Sequence, residues 1–179
     1  MSKKVLVISS SLRKNSNSEQ LALSFAKGAR AAGHETEVIS LREKEINFCI
    51  GCFVCQNTKR CLMHDNADAN REKMLHADVL VFATPIYYYE MSGILKTLLD
   101  RANPLYPSDY RFREVYALAA AAEDEEHVPE KAFSGIEGWV DCFEKARLAG
   151  TLFCGGVTDM GDIKGDPVLQ KAFDMGRKI

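Results

Sequence analysis

Two periods of apolar residues alternate along the chain. Val5–Ser9, Thr36–Leu41, Val79–Thr84, Val115–Ala121 and Gly150–Gly155 read as strands. In Val5-Leu6-Val7-Ile8, in Val79-Leu80-Val81-Phe82 and in the run from Val115 the apolar residues do not alternate with polar ones. That is the pattern of a strand covered on both faces, as in a parallel sheet. Between the strands the spacing turns helical. The first helix follows Ser16, which caps it with Glu19 three residues on. It points Leu21, Phe25 and Ala29 inward and ends at Gly33. A second runs from about Ala67 to His76. A third carries Met91, Leu95, Leu98 and Ala102 on one face. A fourth covers about Glu130–Ala146, burying Ala132, Ile136, Trp139 and Phe143 despite Gly135 and Gly138. The last opens at Asp166-Pro167 and buries Leu169, Ala172 and Phe173. This βα alternation predicts a doubly wound α/β sheet with helices on both faces. Ligands of such sheets bind beyond the carboxyl ends of the strands, where the strand order reverses.

Composition narrows the class. The chain has 179 residues, 46% hydrophobic and 27% charged, with a formal net charge of −2. That length predicts one domain over 1–179. The near-neutral charge predicts neither nucleic acid nor a membrane surface as partner. No apolar run approaches the roughly 20 residues of a bilayer span. The apolar stretch Val5–Ile8 after Met-Ser-Lys-Lys is too short for a signal-peptide core, so a cytoplasmic place is expected.

Two loops at predicted carboxyl ends carry candidate chemistry. After the first strand comes Ser9-Ser10-Ser11-Leu12-Arg13-Lys14-Asn15-Ser16-Asn17-Ser18, at a helix N-terminus. Free amides and the helix dipole favour an anion there, hydroxyls satisfy phosphate oxygens, and Arg13 or Lys14 offsets charge from the rim. The glycine pattern of dinucleotide sites is missing, so a single terminal phosphate fits better. A solvated, capped turn is the plainer alternative. After the third strand comes Thr84-Pro85-Ile86-Tyr87-Tyr88-Tyr89-Glu90-Met91-Ser92-Gly93. Three successive tyrosines offer rings for stacking a flat heterocycle, and the amides of Ile86–Tyr88 its polar edge. The alternative is that they pack on a helix or in a subunit contact.

These segments, with Ser92-Gly93-x-Leu95-Lys96-x-x-x-Asp100-Arg101, resemble the NADPH-dependent FMN reductase family of the flavodoxin-like superfamily, over nearly the whole chain. The resemblance implies a flavodoxin-like three-layer sandwich with a five-stranded parallel sheet in the order 2-1-3-4-5. It implies FMN, its phosphate held by Ser10, Arg13, Ser16, Asn17 and Ser18 and its isoalloxazine by Pro85, Ile86, Tyr87 and Tyr88. The loop after the fourth strand, which often carries Gly or Thr near the flavin, reads Ala120-Ala121-Ala122-Glu123-Asp124 here, so Ala122 stands at the third contact. The implied activity takes hydride from NAD(P)H at flavin N5. Electrons then pass to a small-molecule acceptor: a quinone, a nitro- or azo-aromatic, free flavin or a cluster. No protein group need be catalytic. The competing class is a non-enzymatic carrier of flavodoxin or iron–sulfur flavoprotein type. Asp100-Arg101 reads as a helix-end ion pair, and Glu123–Glu126 as a solvated loop.

Cys49-Ile50-Gly51-Cys52-Phe53-Val54-Cys55, followed by Cys61, gathers four of the six cysteines. Two successive two-residue gaps suit a cubane [4Fe–4S] cluster better than the separated pairs of a zinc site. The spacing is similar to that of iron–sulfur flavoproteins, in which the cluster sits after the second strand near a partner subunit's flavin. Packed thiols without metal, a redox pair and zinc remain open readings. His64 reads as a surface residue, and Cys142 and Cys154 as buried small hydrophobes. Exposed tyrosines, Met91 and Phe53 predict a homodimer or homotetramer.

Overall fold

The computed structural model describes all 179 residues. The elements run β1 (Lys4–Ser9), α1 (Asn17–Ala31), β2 (Glu35–Ser40), α2 (Val54–Thr58), α3 (Asn66–His76), β3 (Val79–Tyr87), β4 (Glu90–Met91), α4 (Gly93–Arg101), a 3-10 turn (Asn103–Leu105), β5 (Glu114–Ala120), α5 (Glu130–Asp141), β6 (Arg147–Cys154) and α6 (Pro167–Arg177). The parallel sheet is ordered β2-β1-β3-β5-β6, which is the expected 2-1-3-4-5 among the parallel strands. The order reverses between β1 and β3, which pair from Val5–Val79 to Ser9–Ala83.

The unbroken apolar strands are explained by two cores, one on each face. Leu6, Ile8, Leu80, Phe82, Val115 and Ala117 point to one, which α3, α4 and α5 cover with Met74, Leu95, Leu98, Ala132 and Ile136. Val5, Val7, Val79, Val81, Tyr116 and Leu118 point to the other, under α1 and α6. In the second layer α1 and α6 cross at glycine. A Cβ on Gly28 would stand 1.9 Å from the Phe173 carbonyl oxygen, and one on Gly176 would stand 2.1 Å from that of Phe25. Only glycine permits that approach.

Three departures from the sequence reading concern the site. First, β3 continues through Pro85-Ile86-Tyr87 and pairs antiparallel with β4, Ile86 to Met91 and Tyr87 to Glu90, and Met91, expected to be exposed, is buried in the core there. The loop between them is Tyr88-Tyr89, both left-handed at φ 51° and 67°. Such a hairpin normally carries Asn-Gly, so its sequence signal is missing. Second, the long segment after β2 contains the short helix α2. Third, the fourth helix stops at Asp141, which puts Cys142 in its exposed cap instead of a helix interior.

Candidate functional site

A groove crosses the carboxyl ends of β1, β3, β5 and β6. One part, about 210 Å³, is lined by Ser11, Arg13, Ser16, Asn17, Ser18, Pro85, Ile86, Tyr87, Ala120, Ala121, Ala122, Val157 and Thr158. An adjoining part, about 240 Å³, shares Ile86, Ala121 and Ala122 and adds Tyr88, Tyr89, Glu123 and Val128. Eight of the ten residues expected to hold FMN therefore line the first part, and Tyr88 lines the second. A hollow of about 500 Å³ among Lys4, Glu35, Glu72 and His76 lies at the opposite, amino ends of the strands.

At the α1 end, Ser16 caps the helix by accepting from the Glu19 amide at 3.2 Å. The amides of Asn17 and Ser18 in the first turn donate to no protein group. These are the donors that favour an anion. Hydroxyls of Ser16 and Ser18 stand 3.4 Å apart beside them. Arg13 is exposed and holds the rim by donating from Nη1 to the Thr158 carbonyl at 2.9 Å.

Two residues differ from expectation. Ser10 is fully buried and off the groove. Its hydroxyl donates to the Ala83 carbonyl at 3.1 Å and accepts from the Ser92 hydroxyl at 2.8 Å, tying β1, β3 and the start of α4 together. The Asn17 side chain is likewise engaged, donating to the Asp159 carbonyl and accepting from the Ile163 amide, so only its backbone faces the groove. The reading of motifs also missed Ser11, Val157 and Thr158. Those last two belong to the loop after β6, whose only sequence mark is Gly155-Gly156. A Cβ on Gly155 would lie 2.5 Å from Asp124 Cα, so this glycine lets the loops after β5 and β6 close on each other.

At the other end Tyr88 is 98% exposed on its strained turn. Tyr89 is anchored: its hydroxyl donates to Glu123 Oε2 at 2.8 Å, His127 stacks on its ring and Lys131 Nζ sits over it. The hydrogen bond to Glu123, and that carboxylate's charge, raise the Tyr89 pKa. Glu123 thus has a partner, while Asp124, Glu125 and Glu126 are exposed as expected.

The cysteine segment builds a second site. Cys49, Cys52, Cys55 and Cys61 line a cavity of about 690 Å³ with Phe53, Leu62, Leu99, Arg101, Asn103, Tyr106, Trp139 and Phe143. Cys142, expected to be buried, is exposed and lines it too. Cys154 is buried as expected, and burial pushes its thiol up to about 11. All six thiols are free, and no three His, Cys, Asp or Glu side chains are drawn around a common point. The donor set fits an iron–sulfur cluster in kind, number and shared cavity, since soft thiolates are its usual ligands.

Arg101 anchors this segment. Its guanidinium clamps Asp65 at 2.6 and 3.1 Å and donates to the Asn47 and Met63 carbonyls at 2.8 and 2.9 Å. Burial alone would raise the Asp65 carboxyl. Hydrogen bonds from Arg101, from the Asn47 and Ala67 amides and from the Asn47 side chain outweigh it and hold the pKa at about 2. The expected helix-end pair is therefore a buried clamp, and it belongs to Arg101. Asp100 instead pairs with Lys96 at the surface.

Comparison with known proteins agrees with this geometry. An iron–sulfur flavoprotein of Methanocaldococcus jannaschii is 39% identical over 57% of this chain and 53% of its own length. One of Methanosarcina thermophila is 27% identical over 87% and 82%. The chain thus spans about half the length of the first of these relatives, and 54% of a similar one from Archaeoglobus fulgidus. Among solved structures, an NAD(P)H:quinone oxidoreductase from Methanothermobacter marburgensis superposes with TM-score 0.72 at 20% identity, covering 99% of this chain and 96% of that one. An azoreductase from Bacillus anthracis gives 0.74 at 17% identity, with both chains fully covered. Both share the flavodoxin-like fold. The family model for NADPH-dependent FMN reductases matches residues 3–128, from β1 to the wall formed after β5, and the chain belongs to that family.

Proposed function

We propose that this chain is an FMN-dependent NAD(P)H oxidoreductase that delivers electrons to a small flat acceptor such as a quinone or an azo- or nitro-aromatic. One observation carries the reading: the unanswered amides of Asn17 and Ser18 open into the same groove as the Ile86–Ala122 wall. The hydroxyls of Ser11, Ser16 and Ser18 and the rim guanidinium of Arg13 complete a phosphate cradle. Pro85–Tyr88 and Ala122 form the seat for a ring, which Tyr89 steadies through Glu123. Bound there, FMN supplies hydride acceptance from a nicotinamide and electron delivery to a second substrate. The names of the structural neighbours favour a quinone or azo compound as that substrate. Titration of FMN into the protein, followed by flavin fluorescence, should quench it. Anaerobic NADPH should then bleach the bound flavin. Unquenched fluorescence overturns the proposal.

The four-thiol cavity, with relatives named iron–sulfur flavoproteins, favours a second reading of the chain: an electron carrier. Cys49, Cys52, Cys55 and Cys61 would hold a [4Fe–4S] cluster, which supplies one-electron transfer. The two readings divide on turnover. Continuous NADPH oxidation with a quinone supports the enzyme, and a single bleaching without turnover supports the carrier. We also propose a cytoplasmic homodimer or homotetramer. Phe48, Ile50 and Phe53 are 79%, 71% and 62% exposed around the cysteine cavity, and Tyr88 stands bare at the groove. The two sites share no lining residue, so a second copy laying its cysteine segment over the groove would cover both apolar patches. Native mass spectrometry showing only monomer at micromolar concentration overturns that part.

A further inference from the structure

One polar atom in the cysteine cavity is left without a partner. A guanidinium has five N–H donors in a fixed plane. In Arg101 the two terminal nitrogens serve the Asn47 and Met63 carbonyls and both Asp65 oxygens. Its Nε–H has no acceptor, although the side chain is only 1% exposed. A buried donor left unmade costs about 1–3 kcal/mol, more when charged. Asp65 grips the fork end-on, so it cannot answer Nε. Anchoring the segment accounts for four donors and gives no reason for the fifth to stay buried and empty.

Sulfur is what remains nearby. Arg101 lines the same cavity as the four cysteines, and the Cys61 thiol stands beside its guanidinium. A neighbouring sulfur already has a donor of this kind: Asn103 Nδ2 donates to Cys55 Sγ at 3.1 Å. Asn103 and Arg101 both come from the end of α4 and the turn after it, so one corner carries both donors.

We propose that Arg101 is a positioning residue of the cysteine site, its Nε–H held for the Cys61 sulfur when that sulfur binds metal. The proposal rests on reading the cavity as a metal-thiolate site. A cationic donor on a ligand sulfur stabilises the more negative, reduced form of a cluster, because it offsets the added charge. Asp65 balances most of the cation, and Arg101 joins the anchorage of the segment to the electron affinity of what the segment holds.

The test uses the full chain. Cadmium is added to metal-free protein while the Arg101 Nε–H signal is followed by 15N NMR. In the wild type and in Cys142→Ala the signal should shift and its exchange with water should slow; in Cys61→Ala it should stay put. After anaerobic reconstitution with iron and sulfide, Arg101→Lys should lower the reduction potential. Asp65→Asn should raise it, although both variants lower the melting temperature. Potentials moving together, or an unmoved Nε–H signal on a metal-loaded protein, overturn this inference alone. A wild type that binds neither cadmium nor iron overturns it together with the metal reading beneath it.

Discussion

Tyr88 and Tyr89 hold a left-handed turn that glycine would adopt without strain. A non-glycine residue there costs about 1 kcal/mol or more, and such strain collects at functional sites. Tyr88→Gly should therefore raise stability by about 1 kcal/mol in urea unfolding while weakening FMN binding. Unchanged FMN affinity would mean that the ring of Tyr88 plays no part in the seat. Asp65 gives a second prediction at this scale. Its folded-state pKa, about 2, lies below the ordinary value of 3.8. A depressed carboxylate contributes stability above its unfolded pKa and loses it as pH falls through the folded one. The contribution, roughly 2 kcal/mol, should be complete above about pH 4 and fade toward pH 2. Urea midpoints across that window should slope in the wild type and be flatter in Asp65→Asn. The local pattern made Ser16, the amides of the first βα turn and the tyrosine turn legible. It could not show that Ser10 points into the switch between β1 and β3, because the Ala83 and Ser92 partners arrive from 73 and 82 residues away.

Helix α1 owes its place to α6, and the crossing tests that claim. Gly176→Ala would put a Cβ 2.1 Å from a backbone oxygen that cannot step aside. It should cost about 3 kcal/mol or more. Gly138→Ala in α5 meets nothing within 4 Å. It should stabilise by about 0.5–1 kcal/mol through helix propensity. Equal effects of the two substitutions in thermal unfolding would contradict the close crossing. Strand and helix existence was readable because each element has its own apolar period. The β3–β4 hairpin was not, because Pro85 and two tyrosines carry no hairpin signal. The end of α5 was also missed, since Phe143 continues the inward face beyond the last helical residue and is buried there.

At the scale of the whole molecule, four strand ends must come together to make the groove, so ligand and fold are coupled. FMN at about 100 times its dissociation constant should add about 2.7 kcal/mol of stability. For a chain of this size that is a rise of about 5–10 °C in melting temperature. Free phosphate at saturating concentration should give a smaller rise through the α1 cradle alone, and Ser18→Pro, which removes one of the two free amides, should abolish it. A phosphate response that survives this change would move the anion away from α1.

Sequence alone determined what depends on neighbours along the chain. Strand burial on both faces, the cap of α1, the strand order through the family motif and the four-cysteine spacing are all written in local pattern, because periodicity and turn chemistry act over a few residues. Tertiary structure decided what depends on distance in space. It engaged Ser10 and the Asn17 side chain in holding the fold, and it brought Val157 and Thr158 to the groove and Cys142 to the thiol cavity. It also turned Arg101 into a buried clamp with one donor to spare. Those outcomes follow from which strand ends and helix corners pack together, and that is set by two cores closing across the sheet.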